Sequence, residues 1–441
     1  MNPRRADALV IGAGAAGMMG ALAAASAGAR VLLLEKSLGG PSNLLVSGGL
    51  FPGAGTRWQR EAGVQDSPEA FAADIRVKGG DSVNESIVDA VARASAEAIH
   101  FLADAAGIPV HLMDIDAPSH GVRRLHATPA QSGRELHALM RAALARFPAI
   151  ETVDGVEVDS IAYDGGYRVG AGNASFEAPS LLLVTGGFAS NRDLLLEFAP
   201  EIAGALHIGA GPNDGFAVHW GRRLGATVAQ MAGYQGQGHV NPSSLTRLGM
   251  SLPRLGAFMV NRDGHWFVEP EVGPSELAAR VLAQPGGVAL EVYDRRIHDT
   301  AMKQGPYAEA VRAGKVMSTP DAEALAREAG LPATFLETFA ARGGHLAAPL
   351  YASWVTGALA HTQGGLAVDG RGRVLRAGGE PVEGLYAAGG AAAGLAGVGG
   401  EGYLPGNGLA QSFALGLAAG REMAARAAVI PPSRLKSRPR A

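Results

Sequence analysis

Residues Asp7–Lys36, DALVIGAGAAGMMGALAAASAGARVLLLEK, constrain the fold more than any other stretch. Ala8–Ile11 is an apolar run of strand length. Gly12-x-Gly14-x-x-Gly17 follows it directly, then an Ala- and Met-rich helical stretch to about Ala27. A second apolar run, Val31–Leu34, ends in Glu35. This order describes a βαβ unit that holds a dinucleotide. Gly12 turns the chain where a side chain would clash. Gly14 lets the backbone approach a pyrophosphate, and Gly17 lets helix and strand pack closely. The N–H groups of Ala15 and Ala16, at the helix N-terminus, face the phosphates. Glu35 stands at a strand end, where a carboxylate accepts hydrogen bonds from ribose hydroxyls. NAD and FAD both fit this unit.

Composition narrows the class. The 441 residues leave room for two or three domains, and a hydrophobic content of 47% describes a globular chain. A net charge of −3 gives no argument for a nucleic-acid partner. The absence of cysteine removes disulfides, Cys-ligated clusters, CxxCH haem attachment and redox dithiols together. Redox chemistry on this chain therefore rests on a bound organic cofactor, and no metal site is expected. Arg4 and Arg5 precede an apolar stretch as in a signal peptide, but that stretch is the nucleotide unit itself. No integral membrane segment is expected, and a cytoplasmic location follows. Residues 431–441, with four basic side chains and three prolines, read as a flexible basic tail.

Further along, Gly40, Ser42, Asn43, Ser47, Gly48 and Gly49 leave little bulk, which suits backbone lying against a flat ring. Ser67–Leu102 and Gln131–Phe147 read as helices. Asp164-Gly165-Gly166-Tyr167 marks a hairpin. LLLVTGG, ending in Thr185, Gly186 and Gly187, is a second strand-to-glycine junction that belongs beside the first in a parallel sheet. Asn213-Asp214-Gly215 turns into a helix. Phe258–Val268 reads as a hairpin about Asp263-Gly264, and helical segments follow to about Gly344. GLYAAGG, ending in Gly389 and Gly390, is a third junction. Gly406-Asn407-Gly408 leads into an Ala-rich helix from Leu409.

The segments DALVIGAGAAG, GGPSNLLVSGG, DSPEAFAADIRVKGGD, LLLVTGGFASN, GPNDGFAVHWGRRLGA, GAFMVNRDGHWFVE, HTQGGLAVD and GLYAAGG with LPGNGLAQSFALGLAAG occur in this order. Together they resemble the flavoproteins typified by fumarate reductase flavoprotein subunits and soluble flavocytochromes. That superfamily includes 3-ketosteroid dehydrogenases and tricarballylate dehydrogenase. The resemblance implies an α/β fold with a discontinuous Rossmann-like FAD-binding domain (1–235 and 356–430) and an inserted α+β capping domain (236–355). It also implies hydride transfer between flavin N5 and a carbon of an activated C–C bond. No His stands near Pro41, Ser42 and Asn43, where relatives with covalent FAD carry one, so the FAD is expected to be non-covalent. Expected FAD contacts are Gly12, Gly14, Ala15, Ala16, Gly17, Glu35, Lys36, Gly40, Ser42, Asn43, Ser47, Gly48, Gly49, Thr185, Gly186, Gly187, Asn213, Asp214, Gly389, Gly390, Gly406, Asn407 and Leu409. The last helix is expected to turn its N-terminus to the flavin pyrimidine edge.

Departures from the family pattern bear on the substrate. The proton-donor Arg of fumarate reductases falls at Pro274, the relay acid near Ser251, and a dicarboxylate-binding Arg at Tyr403. A dicarboxylate needs partners for two charges, so fumarate and succinate are not expected. His361 and Arg254 match family positions near the substrate. Tyr403 sits as in 3-ketosteroid dehydrogenases, where the phenol binds a carbonyl and favours its enol. His239, Tyr234 and Tyr351 are further acid–base candidates, and Arg123, Arg124 and His126 form a possible substrate-side cluster. The expected substrate is a small molecule, neutral or singly charged, ketosteroid-like or enone-like, with an external electron acceptor or donor. A tricarballylate-dehydrogenase-like oxidation, with Arg254 and the Arg123/Arg124 pair supplying charge, is the alternative. A non-catalytic flavin-binding protein is the other.

Overall fold

The computed structural model describes residues 2–248, 251–269 and 272–430. The expected tail, 431–441, lies outside the described residues. The first core is built on a six-stranded sheet in the order Arg373–Leu375, Pro381–Ala387, Leu181–Leu183, Ala8–Ile11, Val31–Leu34, Ile150–Val153. All its pairings are parallel except that of Arg373–Leu375. The central strands are wholly buried, as expected for a parallel sheet covered on both faces. Register aligns Ile11, Leu183 and Ala387. The three strand-to-glycine junctions therefore leave the sheet side by side at one edge, where open α/β sheets bind ligands.

Helices Ala15–Ser26 and Asn407–Val429 pack on this sheet and on each other. Glycines bring their axes close: a Cβ at Gly416 would stand 2.8 Å from the Ala16 carbonyl oxygen. The expected hairpin about Asp164 forms, pairing Ser160–Tyr163 with Tyr167–Ala171. The expected helices appear as Pro68–Gly79, Glu85–Asp104 and Gly133–Leu144, with Ser67, Asn84 and Ser132 as side-chain caps.

A second hydrophobic core gathers residues from Leu248 to Val355. Its sheet is organised on the long strand Leu350–Thr362, which pairs with Leu206–His207, Tyr234–Val240, Val288–Asp294 and Met317–Thr319. Val288–Asp294 corrects the reading of an all-helical stretch here. Every residue of that strand is buried, so it shows no alternation for a sequence reading to detect. The expected Phe258–Val268 hairpin is reduced to one bridge, Val260 to Trp266, because Phe258–Val260 pairs with Val288–Asp294 instead. Among the described residues no helix is long and apolar enough to cross a membrane.

Candidate active site

A cavity of about 1010 Å³ lies along the edge where the three junctions emerge. Gly12, at φ +108°, occupies left-handed backbone, and a Cβ there would lie 2.6 Å from the Val184 carbonyl oxygen. A Cβ at Gly17 would collide with the Gly12 carbonyl, so this glycine serves helix–strand packing and stands behind the wall. Gly14 differs. Its backbone (φ −71°, ψ −173°) is open to any residue, and an added Cβ would meet no protein atom within 4 Å. Neither strain nor packing requires glycine there; a ligand lying against the backbone does.

Helices Ala15–Ser26 and Asn407–Val429 both begin without a side-chain cap, on Gly14 and Gly406. Ala15 and Ala16 at the first start, and Gly406, Gly408 and Leu409 at the second, line the cavity. Two uncapped N-termini facing one cavity suit a diphosphate at one end and a ring that accumulates negative charge at the other. Glu35 accepts hydrogen bonds from Ala13 N–H (2.6 Å) and Ser37 N–H (2.9 Å), which fixes its carboxylate at the cavity edge. Thr185 Oγ1 and Gln363 Oε1 line the cavity, are buried and have no partner among the described residues. A buried polar atom without a partner is costly, and a polar cofactor or substrate supplies one. These features fit FAD.

Lys36, Gly40, Ser42, Asn43, Ser47, Gly48, Gly49, Gly186, Gly187, Asn213, Asp214, Gly389 and Gly390 also line the cavity. Asn43 is fixed by Ala210 N–H, which donates to its Oδ1 at 2.8 Å. Asn407 does not line the cavity. It is fully buried, and neither amide atom has a partner among the described residues.

At the far end, His361 and Tyr403 meet edge to face with centroids 5.6 Å apart. His361 Nδ1 lies 3.1 Å from Gln363 Nε2, and its ring approaches Gly408 at the helix start. Burial lowers the His361 pKa, which keeps the ring neutral, and pushes the Tyr403 phenol up to about 12, which keeps it a donor. Arg254, ending the short helix Ser251–Arg254, lines the cavity. Gln235, Gln237, Arg247 and Gln363 also line it; none was among the candidate site residues, although Gln363 stands within the HTQGGLAVD segment.

The other candidates fall elsewhere. His239 is buried against Glu291, with Nδ1 3.3 Å from the carboxylate, and does not line the cavity. Tyr351 stacks on His298 at 4.1 Å within the second core, away from the cavity. Tyr234 is buried in a third apolar cluster. Arg123 pairs with Asp114 at the surface. His126 bonds Thr56 Oγ1 at 2.8 Å, and burial lowers its pKa to about 4.

Arg124 is 1% exposed. Its Nε and Nη2 donate to Asp66 at 2.8 Å, and its Nη1 donates to Asp74 at 2.5 Å. The same Nη1 reaches His120 Nδ1 at 3.3 Å, and His120 Nε2 donates to the Pro405 carbonyl at 2.9 Å. This cluster is structural: it anchors the turn between Tyr403 and the final helix. Arg124→Ala leaves the buried Asp66 carboxylate without its cation and is expected to destabilise the fold by about 3–5 kcal/mol. The urea midpoint reads this directly, and a midpoint equal to wild type would refute it.

Fold and site together define a flavin-dinucleotide-binding oxidoreductase. A family model described as "FAD binding domain" matches residues 7–409, and the chain belongs to that family. It is 28% identical, over 95% of its length and 75% of the relative's, to a probable fumarate reductase of Shewanella frigidimarina. It is 25% identical, over 96% of its length and 93% of the relative's, to a 4-oxocyclohexanecarboxylate 2-dehydrogenase of Sinomonas cyclohexanicum. The structure of the open conformation of a flavocytochrome c3 fumarate reductase superposes with a TM-score of 0.82 at 25% identity, covering 97% of this chain and 79% of that one. The protein is an FAD-dependent oxidoreductase.

Proposed function

We propose that the protein oxidises or reduces a C–C bond next to a carbonyl in a cyclic, ketosteroid-like or enone-like substrate, and that fumarate and succinate are not substrates. The observation that carries this reading is the Tyr403–His361 pair on the cavity wall, a phenol held protonated beside an imidazole held neutral. Tyr403 donates to the substrate carbonyl oxygen, which acidifies the adjacent C–H and stabilises the developing oxyanion. Neutral His361 is suited to take or return that proton. FAD, held non-covalently by the glycine junctions and the two helix starts, supplies the two-electron exchange. An external carrier in the cytoplasm then completes turnover. Residues 236–355 act as a cap over the cavity, to which they contribute Gln237, Arg247 and Arg254.

The tricarballylate-like alternative loses its Arg123/Arg124 charge, because both side chains are already paired with carboxylates. The experiment is an anaerobic titration of the purified, FAD-loaded protein, following the oxidised-flavin absorbance. Saturated cyclic ketones are expected to bleach it, and succinate and tricarballylate are not. Where no saturated compound bleaches it, the chemically reduced protein is expected to be re-oxidised by enones. Bleaching by the dicarboxylate or tricarballylate alone would overturn the reading.

A further inference from the structure

Tyr403 reaches the final helix through one tight turn. Leu404-Pro405-Gly406-Asn407 is closed by the Asn407 N–H, which donates to the Leu404 carbonyl at 3.2 Å. Proline in the second place and Gly406 in the third, at φ 86° and ψ −9°, make it a type II turn. A type I turn differs from it in the orientation of the central peptide, here Pro405–Gly406. That peptide is trans, so its carbonyl and its N–H point to opposite sides, and a partner on one fixes the other. Each has a partner. His120 Nε2 donates to the Pro405 carbonyl at 2.9 Å. The Gly406 N–H faces the Tyr403 phenol oxygen; burial raises the phenol pKa, and this N–H opposes the rise.

His120 is itself held for this contact. A guanidinium only donates, so His120 Nδ1, 3.3 Å from Arg124 Nη1, accepts. The proton of the neutral ring then sits on Nε2, the tautomer that the Pro405 carbonyl needs. The carboxylates near the ring, Asp66 and Asp74, are both engaged by Arg124, and the Phe71 ring lies 6.3 Å away. Gly121 N–H donates to Asp74 at 2.8 Å, which pins the chain just after His120. Just before it, Ser119 occupies left-handed backbone at φ 65°, a conformation that persists only where its surroundings impose it.

We propose that His120 is a positioning residue for the reaction: through the Pro405–Gly406 peptide it directs the Gly406 N–H at the Tyr403 phenol oxygen, and so aims the phenol O–H into the cavity. This rests on the reading that Tyr403 donates to the substrate carbonyl. A phenol oxygen that already accepts one hydrogen bond is polarised to donate another. Without His120 the central peptide is free to turn, and a carbonyl facing the phenol would draw its O–H away from the substrate.

The test uses the full chain with FAD bound. The flavin is reduced chemically, cyclohexenone is added in the absence of oxygen, and the rate of flavin re-oxidation is read at saturation. His120→Ala is expected to slow it about 10- to 100-fold with FAD content unchanged. His120→Gln, whose amide N–H reaches the place of Nε2, is expected to restore most of the rate. In a Tyr403→Phe background His120→Ala is expected to cost less than about 2-fold, because the group it aims is gone. Should His120→Ala not fold, His120→Asn takes its place, since its shorter amide falls short of the Pro405 carbonyl. A loss by the same factor in both backgrounds would make His120 merely structural and overturn the proposal. So would a wild-type rate in His120→Ala, or a His120→Gln protein as slow as His120→Ala. Failure of the ketone reading shows without any His120 variant: cyclohexenone does not re-oxidise wild type, or Tyr403→Phe keeps the wild-type rate.

Discussion

Tyr403→Phe is expected to lower kcat by about 10²- to 10³-fold, the loss seen when one donor to a developing oxyanion is removed. FAD should stay bound, because the ring that packs on His361 is retained. The phenol is the only group the substitution deletes, so the loss should appear in kcat more than in KM. With its pKa pushed up to about 12 by burial, Tyr403 remains a donor throughout the neutral range. The kcat of wild type should therefore show no fall from its ionisation as pH rises through 8 and 9. Undiminished turnover by the Phe variant would remove Tyr403 from the chemistry.

Gly14→Val should give a folded protein that no longer retains FAD. The backbone at Gly14 lies in extended space open to any residue, and an added Cβ meets no protein atom within 4 Å. They enter the space where the diphosphate must touch the chain, and affinity should fall on the order of 100-fold or more. Gly17→Ala is the contrast: its methyl group strikes the Gly12 carbonyl, so it should lower the unfolding midpoint. A Gly14→Val protein that purifies with a full complement of FAD would place the diphosphate elsewhere.

Much of the cofactor site was legible because it is local. Each glycine junction follows its strand directly, and parallel pairing alone aligns Gly12, Thr185 and Gly389 at one edge. The substrate end was less legible because it depends on partners far away in sequence. His239 carries the chemistry of an acid–base group, yet Glu291 engages it from 52 residues away. Arg124 resembles a free cation until Asp66, 58 residues earlier, closes on it. Arg247 belongs to no motif, and its place depends on a loop returning to the strand it left. Val288–Asp294 was missed because a strand buried on both faces carries no period of two.

The strand Leu350–Thr362 has a mechanical consequence. Its thirteen residues span about 40 Å, beginning among Leu350, Tyr351 and Ala352 in the second core and ending with His361 and Thr362 at the cavity. Around Val355 and Thr356 it is braced on both sides, by Tyr234–Val240 and by Val288–Asp294. A beam braced at mid-span does not bend there. Past the beam's end, Gly364 and Gly365 lie against the backbone of Met231 and Ala391, where a Cβ would stand 2.3 Å and 2.5 Å from backbone atoms. His361 then rides on the beam's tip, while Tyr403 is moored through Pro405 and His120 to the buried Arg124 cluster on the other side. The edge-to-face contact of these two rings thus joins the tip of the long strand to the buried Arg124 cluster.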